Sequence, residues 1–288
     1  MTDPSFFNKF FIWPILNLLL ALHKIFETIG IPGALGFSII FLTILVRMVL
    51  WPLTAQQLKS AKKMSDLRPK LEDLKKRFGD DKQRLQKEQI ALYKEHGVNP
   101  ASGCLPMILQ IPIFIALYQV LLQVLRTSSE TNFLQQINQI VYHPILRPSS
   151  QLDPSFLGFN LAQKPSDWSQ AGPVLLLVPI ITGLLQFIQS KMLAAPKGQK
   201  KKEPEEKKGK EKQEELMVAM QSQMTYLMPG MIALFAYGFP LGLSLYWNTF
   251  TIFGIIQQYL LSGFGGLVDI VPFLKKKEEN GKNGKSNN

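Results

Sequence analysis

The chain is 288 residues long, 46% hydrophobic, and carries a formal net charge of +11. Long apolar runs alternate with lysine-dense segments, a segregation that excludes an ordinary soluble domain and describes a polytopic membrane protein. The single cysteine, Cys104, excludes an intrachain disulfide and a metal-thiolate cluster.

Residues 6–29 are apolar but interrupted by Asn8, Lys9, Pro14, Asn17, His23 and Lys24. With neither a basic leader nor a small-residue cleavage site, segment 1–33 is expected to form an amphipathic helix in the outer membrane interface, with Trp13 as an anchor. A true membrane span is the other reading. Ile31-Pro32-Gly33 turns the chain into a first span over 34–57, which contains FSIIFLTILVRMVLWP.

Arg47 lies in the middle of that run. An arginine at mid-depth costs about 2.5–3.5 kcal/mol, so it normally faces a hydrated cavity or a buried partner. Thr43, four residues earlier, shares its helix face. Together they read as one wall of a polar cavity inside the membrane; the other reading has Arg47 snorkel to the nearby cytoplasmic interface.

Segment 58–100 changes to a charged composition. Leu67, Leu71, Leu74 and Phe78, then Leu85 and Leu92 beyond the Gly79-Asp80-Asp81 turn, predict a hairpin of two short helices with narrow apolar seams. The second span, 101–126, contains Pro106 and Pro112, which should kink it, and Gln110, a candidate for the polar cavity or for an interhelical hydrogen bond. An outer loop over 127–171 follows. The third span, 172–193, carries Thr182, Gln186 and Gln189; segment 194–221 is low in complexity and highly charged, predicting a flexible loop. The fourth and fifth spans occupy 222–262, joined by Gly238-Phe239-Pro240. Met217, Met220, Met224, Met228 and Met231 form a helical stripe there, read either as packing or as an adaptable surface. A basic tail covers 263–288.

Basic residues cluster in three places. There are 12 against 7 acids from Lys59 to His96, 9 against 6 from Lys191 to Glu215, and 5 against 2 from Lys275 onward. The positive-inside rule makes these segments cytoplasmic and sets the N-terminus and the 126–172 region outside. None of the predicted spans contains Asp, Glu or His, so the carboxylate or histidine relay of a proton-coupled pump is missing. No metal-ligand spacing, phosphate-binding glycine loop or nucleophile–base set is present, which argues against an enzyme and predicts no cofactor and no metal.

SIIFLTILVRMVLWPLTAQQLKSAKKM, then GDDKQRLQKEQIALYKEHGVNPASGCLPMILQIPIFIALY, and the late FPLGLSLYWNTFTIFGIIQQYLL resemble the Oxa/YidC family of membrane protein insertases. The resemblance implies an all-α, five-span protein of the short form, without the large outer domain. Its spans would enclose a hydrophilic groove open to the cytoplasm and to lipid, with a cytoplasmic helical hairpin attached. It assigns the groove to Arg47 and Thr43, with Gln186 and Tyr246 or Trp247 as further contacts, beside Gln110 as read from the second span itself. Nascent membrane proteins and the bilayer are the implied partners, together with the ribosome, the Sec translocon, and targeting factors at the hairpin. The implied location is the plasma (inner) membrane of a prokaryote, with the N-terminus outside and the C-terminus cytoplasmic. Two other classes stand beside it: a small anion-selective channel or transporter using Arg47, and a structural assembly factor for membrane complexes.

Overall fold

The computed structural model describes residues 2–79, 81–98, 105–125, 131–148, 150–194, 212–271 and 273. They are mostly helical and fall into two compact units, each built from separate stretches of chain.

The first unit comprises Met1–Leu50, Ile108–Gln186 and Pro229–Phe253. Helix α1, Asn8–Thr28, is 21 residues long and apolar enough to cross a membrane. Ile12, Ile15, Leu16, Leu19 and Leu20, three or four apart, form its buried face. That face packs on α2, Ala34–Val49, which buries Leu35, Ile39 and Leu42. α6 (Leu105–Leu125) continues through Pro112 and adds Ala116, Leu117, Val120, Leu121 and Val124 to the same core. The first strand of a hairpin of two-residue strands, β1 (Ser155–Phe156) and β2 (Phe159–Asn160), packs against the start of α2. Phe156 covers Gly33 and Gly36, and a Cβ at Gly36 would overlap the Phe156 ring. Within the stretch expected only as a loop, this hairpin turns through Leu157 at φ 49° and Gly158 at φ 84°. α7 (Thr131–Ile140) and α8 (Trp168–Ala171) belong to the same stretch of chain following α6.

Asn17, one of the polar interruptions of the first apolar stretch, is 4% exposed. Its Nδ2 donates to the carbonyls of Trp13 (2.8 Å) and Ile140 (3.0 Å), and its Oδ1 accepts from the backbone N–H of Tyr142 (2.7 Å). One side chain therefore fastens the end of α7 to α1. Asn17→Leu leaves the buried Ile140 carbonyl without that partner, at about 1–3 kcal/mol, and the part-buried Tyr142 N–H as well, and should lower the unfolding midpoint of the purified protein clearly.

The second unit comprises Trp51–Met107, Phe187–Met228 and Gly254–Asn288. The run predicted as one span over 34–57 is broken: α2 stops at Val49 and α3, Trp51–Asp66, begins two residues later. Pro52 explains the restart, because proline lacks a donor N–H and fits best in the first turn of a helix. α4 (Arg68–Phe78) and α5 (Lys82–Glu95) pack on each other, with Asp81 capping α5 through the Arg84 N–H at 3.0 Å. Of the predicted seam only Leu67 is fully buried, so the pair is thin.

α9, Leu177–Leu193, with its 3-10 entry from Pro173, is the second helix long and apolar enough to span. Lys191 in its last turn is 7% exposed and donates to the Tyr226 hydroxyl at 2.7 Å. α10 runs from Lys212 to Gly238, starting well before the predicted fourth span, because the KQEELMVAM stretch is made of good helix formers. Side chains of Met217, Met220 and Met224, and residue Cys104, lie outside the described residues. α11, Leu241–Ser262, follows after Phe239 and Pro240. In this unit Gln257 of α11 donates to the Thr54 hydroxyl at 2.6 Å, and the Gly266 N–H closes the end of α9 by donating to the Ala194 carbonyl at 2.8 Å.

By length and composition the described residues hold two membrane-crossing helices, or three if the broken pair α2–α3 counts as one span. Gln110–Leu125 is a shorter apolar helix beside them.

Candidate functional site

Arg47, Thr43, Gln110, Gln186, Tyr246 and Trp247 all fall in the first unit. Arg47 lies in the last turn of α2, three residues before the break, and is 6% exposed. Its Nη2 donates to the Phe250 carbonyl at 2.7 Å, and its guanidinium carbon lies 3.4 Å from the centroid of the Phe250 ring. Main chain and ring of one α11 residue thus hold the charge, the ring through its quadrupole. Among the described residues no carboxylate reaches it, and its Nε has no hydrogen-bond partner.

Thr43 is buried on the same face, as the spacing predicts, but its hydroxyl donates to the Ile39 carbonyl at 2.6 Å. It therefore presents oxygen lone pairs and a methyl group, and no free proton. Tyr246 is 2% exposed, tilted against Phe250 at 5.8 Å and Phe114 at 6.4 Å. Gln110 approaches the Tyr246 hydroxyl, while its amide nitrogen is buried without a hydrogen bond. Trp247 donates from Nε1 to Gln186 Oε1 at 3.3 Å and stands edge-on to Phe114 at 5.2 Å.

Two further α11 side chains belong with this set. The Ser244 hydroxyl oxygen and the Asn248 Oδ1 are buried without hydrogen-bond partners. They are four residues apart and so share a face of α11. With Arg47 Nε and Gln110 Nε2 they make four of the five buried unsatisfied side-chain polar atoms among the described residues of this unit, Asn138 Oδ1 being the fifth, where almost all such atoms in folded proteins are paired. Donors and acceptors are both among them, so they suit a polar chain segment or water, and not a metal; no metal-binding group occurs among the described residues.

Beside them is a cavity of about 350 Å³ lined by Phe114, Thr182, Phe235, Phe239, Ser244 and Trp247, among others. Its exposed walls are apolar. Phe114, Ser244 and Trp247 are common to both, so a polar cluster and an apolar cavity adjoin within one unit. Phe250, Ser244 and Asn248 escaped the sequence reading. The i, i+4 spacing of Ser244 and Asn248 was available there; nothing in the sequence marks Phe250 as the partner of Arg47.

The family model described as 60Kd inner membrane protein matches residues 26–264. The chain is similar to membrane protein insertase MisCA of Bacillus subtilis, 31% identical over 281 residues that cover 96% of this chain and 84% of the relative. It is similar to membrane protein insertase YidC of Oceanobacillus iheyensis, 31% identical over 88% of this chain and 83% of the relative. The insertase YidC of Francisella philomiragia is 30% identical over 90% of this chain, but the match spans only 36% of that longer protein.

Proposed function

Since the chain belongs to the 60Kd inner membrane protein family, the Oxa/YidC insertases, and acts as a membrane protein insertase and not as an enzyme, we propose that the cluster around Arg47 is where it receives its clients. The observation that carries this reading is a buried guanidinium held by a carbonyl and a ring, with no carboxylate among the described residues, beside unsatisfied polar atoms of α6 and α11.

The polar, often acidic, N-terminal tail of a nascent membrane protein enters this cluster from the cytoplasm. Moving such a tail through hydrocarbon costs several kcal/mol for each unsatisfied group. Arg47 offers it a charge-assisted hydrogen bond, and Gln110, Ser244 and Asn248 offer neutral ones. The adjoining apolar cavity receives the first side chains of the client's apolar segment. Partition of that segment into lipid, at about 25 cal/mol per Å² of apolar area, drives insertion and releases the tail outside. No nucleotide or metal is needed in this scheme.

The membrane core is five-span, with α4 and α5 as a cytoplasmic hairpin that meets targeting factors, the N-terminus outside and the C-terminus cytoplasmic. The ribosome and the Sec translocon are further partners, the basic segments reaching ribosomal RNA electrostatically.

A photoreactive side chain placed at Asn248 should crosslink a ribosome-stalled client through its acidic tail, and should lose the crosslink when the tail's acids are neutralised. Crosslinking that ignores the tail would overturn this use of the cluster. Proteoliposomes holding the protein should show no chloride flux above empty vesicles, since in an anion channel Arg47 would face a continuous pore.

A further inference from the structure

A second cavity, about 300 Å³, lies at the other end of α2, between the last turns of α1, the 31–34 turn and residues 146–148 and 150–153. Charge is unevenly accounted for on its walls. Lys24 and Glu27 neutralise each other across 3.0 Å. That leaves one cation, Arg147, which is exposed and makes no side-chain hydrogen bond or ion pair among the described residues, and one carboxylate, Asp153. The backbone N–H of Ser155, donating to Asp153 Oδ1 at 3.0 Å, holds that carboxyl below its usual range and keeps it ionised.

His23 lines the same cavity. It is 8% exposed, and neither ring nitrogen is hydrogen-bonded to another described residue, so a buried imidazole offers its polar edge to the cavity. The charged groups near it are Glu27, Lys24 and Asp153. Gly33 and Ala34 bring in the start of α2, whose N-cap, Gly33 at φ 78°, supplies no side-chain hydrogen bond to the first-turn N–H groups. Those donors favour an anion, as every free helix N-terminus does.

A spare guanidinium, a buried imidazole edge and uncapped N–H groups, with a single spare carboxylate, complement a small zwitterion: a phosphate joined to an ammonium. Leu20, Ile31 and Leu152 on the same walls suit the methylenes between and beyond them. We propose that this crevice binds the headgroup of an aminoethyl phospholipid of the outer leaflet. Arg147, His23 and the α2 N-terminus take the phosphate, and Asp153 takes the amine. The orientation given above supplies the leaflet; headgroup binding itself does not depend on the insertase reading, and it is measured without insertion.

Full-length protein in nanodiscs of phosphatidylcholine doped with phosphatidylethanolamine, ejected and weighed by native mass spectrometry, should retain phosphatidylethanolamine over phosphatidylcholine. Arg147→Gln, at an exposed position that leaves the core intact, should reduce retention of phosphatidylethanolamine about tenfold, the worth of one charge-assisted phosphate contact, and Asp153→Asn, which loses the amine contact, should remove the preference over phosphatidylcholine. In parallel, the imidazole carbons of isotopically labelled His23, assigned with His23→Gln, should shift on adding the lipid. Equal retention of both lipids by the native protein, phosphatidylethanolamine retention untouched by Arg147→Gln, or a preference untouched by Asp153→Asn would overturn the site. A His23 shift with soluble glycerophosphoethanolamine but none with the lipid would overturn the lipid as its source.

Discussion

Arg47→Ala should nearly abolish insertion of a single-span client with an acidic N-terminal tail into proteoliposomes, while Arg47→Lys retains a substantial part of it. The charge-assisted contact between guanidinium and client carboxylate is worth about 1.5–3 kcal/mol, so its loss should slow insertion about 10- to 100-fold. Lysine keeps a point charge but gives up the planar fork that lies on the Phe250 ring and the directed bond to its carbonyl. A client whose tail carries no acid should be much less affected by either change. Alanine inserting the acidic client as fast as native protein would show that the positive charge is structural, leaving the neutral polar atoms of α6 and α11 to carry the tail.

Gly265→Ala should be the most damaging single-methyl change among the described glycines. Gly265 stands at φ 51°, where a Cβ is strained, and its Cβ would overlap the backbone carbonyl of Met192. A backbone oxygen at the end of α9 has no rotamer to change, so the strain and the overlap together should cost about 3 kcal/mol or more. The neighbouring Gly266 N–H bond to Ala194 would be lost with it. The check is the unfolding midpoint of the variant with and without Met192→Ala: trimming that side chain should restore nothing, and a rescue would show that the overlap lies with the side chain. Gly36→Ala makes the contrast, since its overlap is with the Phe156 ring, and Phe156→Ala should relieve it.

Much of this organisation is written in composition. A mostly helical membrane protein follows from apolar runs of membrane length, and the starting points of α2, α9 and α11 follow from the glycine, proline and Gly-Phe-Pro signals that precede them. Arg47 and Thr43 were legible because a charge four residues from a hydroxyl inside an apolar helix has few tolerable surroundings. What sequence could not supply were partners distant along the chain. Phe250 is 203 residues from Arg47, and Ile140 is 123 from Asn17. Neither a phenylalanine in an apolar helix nor a backbone carbonyl differs from its neighbours until the fold brings it close. The stop at Val49 was missed for another reason: hydropathy continues across it, and Trp51-Pro52 acts on backbone geometry, which hydropathy does not register. The β-hairpin was missed because two-residue strands are too short to show alternation, and Leu157 is an unusual residue for φ > 0.

In the proposed use of the cluster, the stacking of Arg47 on Phe250 also sets how fast a client can leave. Had the guanidinium waited bare, an arriving carboxylate would gain the whole of a desolvated ionic contact and stay bound for long. Here the incoming acid must displace a carbonyl and a ring already in place, so it gains only the difference between two sets of interactions, about 1.5–3 kcal/mol, the net worth of one charge-assisted hydrogen bond. Such a site exchanges partners instead of collecting them. Its dwell time stays short at every step, the empty state never exposes a raw charge to lipid, and one protein can serve successive chains with no energy source to pry each one loose.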